Sequence, residues 1–77
     1  MSQRIKLPPL VSLVRLREGR GLDQRGLAAE LGVSRGAVAQ WERGYNLPGT
    51  DNLLALANLF GCSVDTVLGR EPPTVSS

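Results

Sequence analysis

The chain has 77 residues and a formal net charge of +2, enough for one domain around one small core. It holds one cysteine, Cys62, and no histidine, which excludes an internal disulfide and a zinc site of paired cysteine and histidine. No apolar run approaches the roughly 18–20 residues of a membrane span, and the N-terminus lacks a signal-peptide stretch, so a cytoplasmic protein away from membranes is expected.

Aromatic residues are limited to Trp41, Tyr45 and Phe60, so leucine, valine and alanine must build the core. That favours short packed helices, and an all-α fold of five helices is predicted. Residues 1–9 form a basic arm with Arg4 and Lys6. Pro8 and Pro9 disfavour helix before them and suit the first turn of one after them. Leu10, Leu13, Val14 and Leu16 then follow helical spacing to about Glu18, where Gly19 and Gly21 close the first helix.

Asp23 is a good cap for a second helix, Gln24 to Leu31, stopped by Gly32. Ser34 caps a third, Arg35 to Arg43, stopped by Gly44. After the loop Tyr45–Gly49, Thr50 is expected to cap a fourth helix from Asp51 to Phe60. Ser63 is expected to cap a short fifth, Val64 to Leu68. The domain therefore runs from residue 10 to 69, with a disordered tail at 70–77. Cys62, among apolar residues, reads as a small core hydrophobe.

Charge is unevenly spread. Residues 1–43 carry eight basic and four acidic side chains, whereas residues 44–77 carry one and three. The basic half is the candidate polyanion-binding half. An enzyme is not expected: without histidine, a phosphate-binding glycine loop or clustered carboxylates there are no catalytic residues to name. Asp51 and Asp65 are more simply helix-start residues. No metal or cofactor is expected, and at this length no domain binding a small-molecule ligand is expected.

Gln24–Arg43 is the most informative stretch. Two helices joined by a three- or four-residue turn need a small residue at their crossing, and Ala28 stands there. The turn needs a residue that tolerates positive φ, which Gly32 supplies. Leu27, Leu31, Val33, Val38 and Trp41 fill the angle. At about 100° per residue, Ala37, Val38 and Trp41 of the third helix fall on one side. Arg35, Gly36, Ala39, Gln40 and Arg43 fall on the other. That outer face has no acid and no bulky hydrophobe. Its arginine and glutamine can make paired hydrogen bonds to guanine and adenine edges in the major groove of double-stranded DNA.

The segments Leu16–Gln24 (LREGRGLDQ), Leu27–Ser34 (LAAELGVS), Val38–Gly44 (VAQWERG), Leu47-Pro48 and Asn52–Gly69 carry a resemblance that spans Leu10–Gly69. The chain resembles the lambda-repressor-like family of helix-turn-helix regulators, also called the xenobiotic-response-element family. The resemblance implies a transcriptional regulator, with base-reading positions at Arg35, Gly36 and Gln40. It implies DNA-backbone positions at Gln24, Ser34, Arg43, Tyr45 and Asn46, and a structural ion pair between Arg17 and Glu42. Ala39 completes the base-facing side. Gly26 and Gly36 depart from the family pattern, and each costs about 0.5–1 kcal/mol of helix stability relative to alanine.

One short recognition helix reaches few base pairs, so a homodimer on a palindromic operator is expected, assembled before binding or only on DNA. Leu47 and Pro48 in the loop, and Val64, Val67 and Leu68 in the fifth helix, are the candidate interface. A repressor is the leading expectation. The alternative is the antitoxin of a toxin–antitoxin pair, which would bind a partner protein as well as DNA.

Overall fold

A computed structural model describes residues 9–70; the rest of the expected arm and tail lies outside the described residues. Five helices follow one another: α1 (Val11–Gly19), α2 (Gln24–Leu31), α3 (Arg35–Arg43), α4 (Thr50–Phe60) and α5 (Val64–Val67). Three begin on a side-chain cap. Asp23 accepts from the backbone N–H of Gly26, Ser34 from Ala37 and Ser63 from Thr66. Each such cap satisfies a donor with no partner inside the helix and contributes about 1 kcal/mol. α2, α3 and α4 end on the left-handed glycines Gly32, Gly44 and Gly61.

Several ends differ from the sequence expectation. α1 starts at Val11 and runs through Gly19; the left-handed residue that follows is Gly21, with φ +70°. α4 is capped by the extended backbone of Gly49 with no side-chain bond, so Thr50 is its first helical residue. α5 stops at Val67, and Leu68 serves as its C-cap.

The core takes at least one side chain from every helix. Leu13 of α1, Leu27 and Ala28 of α2, Val38 and Trp41 of α3, Leu56 and Phe60 of α4 and Val67 of α5 are buried together with Leu10. Cys62, Leu31 and Val33 are partly buried against it. Leu10 also donates its backbone N–H to the Glu42 carbonyl at 3.2 Å, which pins the start of α1 to the end of α3. The Ser12 hydroxyl donates to the Val67 carbonyl at 2.7 Å and pins α1 to α5.

That packing corrects part of the expected dimer interface. Val67 has no exposed surface, because the single turn of α5 is held against α1 with this residue inward. Pro48 is buried as well. Leu68 is half-buried against the core and Val64 half-buried. Of the five candidates only Leu47 is exposed, at 46 %. Leu54 of α4, which carried no such expectation, is exposed at 56 %.

The two glycines that depart from the family pattern sit in different surroundings. A methyl group on Gly36 would meet nothing nearer than the Ser34 hydroxyl at 3.9 Å. Gly36→Ala should therefore stabilise the domain by about 0.5–1 kcal/mol, read as a higher denaturant midpoint. At Gly26 the same methyl would lie 3.1 Å from the capping Asp23 carboxylate and 3.3 Å from Leu22. Gly26→Ala should gain less or lose; an equal gain at both sites would contradict this crowding.

Candidate nucleic-acid interface

α2 and α3 meet through the left-handed Gly32, and Val33 returns a hydrogen bond from its N–H to the Ala28 carbonyl at 3.0 Å. This tight turn lets the start of α3 emerge beside the start of α2. Ala28, only 4 % exposed, sits in the core. Val38 and Trp41 hold α3 by its inner face. Arg35, Gly36, Gln40 and Arg43 are exposed on the outer face, and Ala39 is half-buried at its margin.

Glu42 is the exception on this helix: a carboxylate turned inward and 8 % exposed. Arg17 of α1 meets it through Nε to Oε2 at 2.7 Å and Nη2 to Oε1 at 3.2 Å. The third arm, Nη1, donates to the Leu22 carbonyl at 2.8 Å. The hydrogen bond with Glu42 holds the Arg17 guanidinium above its ordinary pKa, against the opposing effect of burial. The arrangement removes a negative charge from a face that would otherwise approach phosphate, and locks α1 to α3.

A chain of side chains leads outward from this pair. Gln24 Nε2 donates to Glu42 Oε1 at 2.9 Å, and Arg35 Nη1 donates to Gln24 Oε1 at 3.1 Å. Gln24 thus occupies the space between the ion pair and the first residue of α3. Arg17, Asp23, Gln24, Arg25 and Arg35 line a shallow open concavity where α2 and α3 begin. Arg25 in that group carried no expectation from the sequence. Its signal was its place in the first turn of α2, beside a helix N-terminus that favours anions.

At the other end of α3, Gly44 turns the chain and Tyr45 donates its backbone N–H to the Gln40 carbonyl at 2.9 Å. The Tyr45 side chain is 63 % exposed, so it is a surface group and not an anchor of the loop. Asn46 Nδ2 donates to Gln40 Oε1 at 3.0 Å. The Ser34 hydroxyl faces solvent while it accepts the capping bond from Ala37. Arg20 lies 5.9 Å over the Phe60 ring, packed against the core in place of joining the others.

Among the described residues no three histidine, cysteine, aspartate or glutamate side chains converge as a metal site. No helix among them is long and apolar enough to cross a membrane.

The two helices joined at Gly32, the inward carboxylate and the acid-free outer face match a DNA-binding helix-turn-helix domain of the xenobiotic-response-element kind. The helix-turn-helix family model HTH_3 matches residues 13–67, and the chain belongs to that family. It is 37 % identical over 59 residues to the HTH-type transcriptional activator BcrR of Enterococcus faecalis, covering 77 % of this chain and 29 % of BcrR. It is 38 % identical over 60 residues to the HTH-type transcriptional regulator ImmR of Bacillus subtilis, covering 74 % of this chain and 47 % of ImmR. Among solved structures, the P22 c2 repressor in complex with a synthetic operator superposes with a TM-score of 0.70 at 36 % identity. That match covers 77 % of this chain and 89 % of the repressor chain. The chain thus spans less than half the length of the two curated relatives.

Proposed function

We propose that this domain is a sequence-specific repressor that lays α3 in the major groove of a palindromic operator, with one copy on each half-site. The observation that carries the reading is the outer face of α3, where Arg35, Gly36, Gln40 and Arg43 stand exposed with no acid among them. Arg35 and Gln40 read base edges; Gly36 and the margin at Ala39 let the helix approach closely. Ser34, Arg43, Tyr45 and Asn46 hold the DNA backbone. The P22 c2 repressor, solved on an operator, supports repression.

Two copies are needed because α3 has nine residues, about 13 Å at a rise of 1.5 Å each, and reads only a few base pairs. Leu47, 46 % exposed in the loop after α3, is the candidate apolar group where copies would meet. The test is selection of a binding site from random duplex DNA, followed by the mass of the saturated complex. A palindrome with half-sites about one helical turn apart and two copies per duplex are expected. A site without symmetry, filled by one copy, would sink the dimer. Leu47→Ser should weaken binding to the full site by about 1–2 kcal/mol through lost apolar burial, and leave a half-site duplex unaffected.

A further inference from the structure

We propose that Asn46, in the loop after α3, sets which bases Gln40 can read: its side-chain amide engages the Gln40 side-chain carbonyl, so that Gln40 offers N–H donors to the groove and selects guanine or thymine over cytosine. The inference rests on the reading above, in which α3 enters the major groove. It adds a second task to the backbone contact given there to Asn46.

The end of α3 places Asn46. Gly44 turns left-handed at φ +83°, and its N–H bonds to the Trp41 carbonyl at 3.1 Å. The Tyr45 N–H bonds to the backbone carbonyl of Gln40 at 2.9 Å, and the loop is anchored again at the buried Pro48. Asn46 lies between these two fixed points, and its Nδ2 meets Gln40 Oε1 at 3.0 Å. Consecutive loop residues thus donate to the main-chain and the side-chain carbonyl of one recognition-helix residue. Both Asn46 and Gln40 are exposed, so the pair is open to a DNA partner.

Donor and acceptor identity then fixes both amides. A phosphate oxygen is an acceptor, so the group of Asn46 that holds the DNA backbone is Nδ2. That nitrogen carries two hydrogens, one for phosphate and one for Gln40. Turning the amide over would set Oδ1 against phosphate, so the backbone contact selects the orientation to which Gln40 answers with Oε1. Gln40 Nε2 has no partner among the described residues and is the atom left for the bases. A glutamine pairs with adenine through both ends of its amide, and with Oε1 turned to the loop that pairing is not made. Donation to an acceptor remains: guanine shows O6 and N7 and thymine shows O4. Cytosine shows only an opposing N–H donor, and adenine sets one beside its N7.

The test uses the duplex selected by the wild-type domain, its single-base variants and an unrelated duplex. Gln40→Ala first identifies the base pair at which preference is lost. Asn46→Asp keeps side-chain size and sets only acceptors beside Gln40. The Gln40 amide should then turn over, give Nε2 to the carboxylate and leave Oε1 to the groove. Preference at that pair should move from guanine or thymine to cytosine or adenine, by about tenfold in relative affinity. The added negative charge should weaken every duplex alike, the unrelated one included. Asn46→Leu, with neither donor nor acceptor, should flatten the preference without reversing it, and Asn46→Asp added to Gln40→Ala should shift no preference. If both Asn46 variants leave the preference at that pair intact, with or without uniform weakening, Asn46 does not orient Gln40 and the proposal is overturned. A wild-type preference for cytosine or adenine at that pair overturns it too. If Gln40→Ala alters preference at no base pair, the reading of the groove by this residue fails first, an outcome distinct from both.

Discussion

Glu42→Ala is expected to remove about 3–5 kcal/mol of folding stability, the cost of breaking a buried ion pair from one side. Arg17 would keep its charge, since a guanidinium does not give up its proton in a protein. Of its present partners only the Leu22 carbonyl, at 2.8 Å, would remain. Gln24 would lose the acceptor for its Nε2. A domain of 77 residues has a total stability of only about 4–12 kcal/mol, so the loss is comparable to the whole. Thermal unfolding should show it clearly, because 1 kcal/mol moves the midpoint of a domain this size by roughly 4–8 °C. Replacing both partners by apolar residues of similar size, Arg17→Met with Glu42→Leu, should cost less than Glu42→Ala alone, since no charge is left stranded. A Glu42→Ala midpoint within about 3 °C of wild type would mean that the pair contributes almost nothing.

Arg35→Ala and Arg43→Ala should separate reading from holding. Arg35→Ala is expected to cost about 1–3 kcal/mol on the cognate site and to relax preference at one base pair. Non-cognate duplexes should be affected much less. Arg43, exposed at the end of α3, should behave differently. Its loss weakens binding to every sequence and lowers the slope of log affinity against log salt by about one, the signature of one released phosphate contact. Titrations at several salt concentrations decide the matter. Equal loss from Arg35→Ala on cognate and random DNA would place that residue on the backbone.

Much of the fold was legible in the residues because its punctuation is local. A side-chain oxygen at Asp23, Ser34 or Ser63 reaches a backbone N–H three residues ahead, and Gly32, Gly44 and Gly61 supply left-handed stops. Neither needs distant contacts, so the limits of α2 and α3 follow from sequence spacing. Thr50 shows where local reading fails: it has the chemistry of a cap, yet Gly49 holds that place. The outer face of α3 was legible too, since helical period alone separates Arg35, Gly36, Gln40 and Arg43 from Val38 and Trp41.

What a short or boundary residue does was settled only by neighbours remote in the chain. α5 has four residues, too few for an apolar stripe to declare its inner side, and its packing against α1 puts Val67 inward. Glu42 lies at the border of two faces by period, and Arg17, 25 residues earlier, turns it inward. The sequence places Gln24 in the first turn of α2 as a DNA-backbone position by resemblance, and its hydrogen bonds to Glu42 and Arg35 appear only once the helices are packed. Side-chain periodicity and capping act within a turn or two of helix and are therefore written in the sequence. The pairing of charges and amides across helices depends on where the core places each helix, which only the tertiary structure decides.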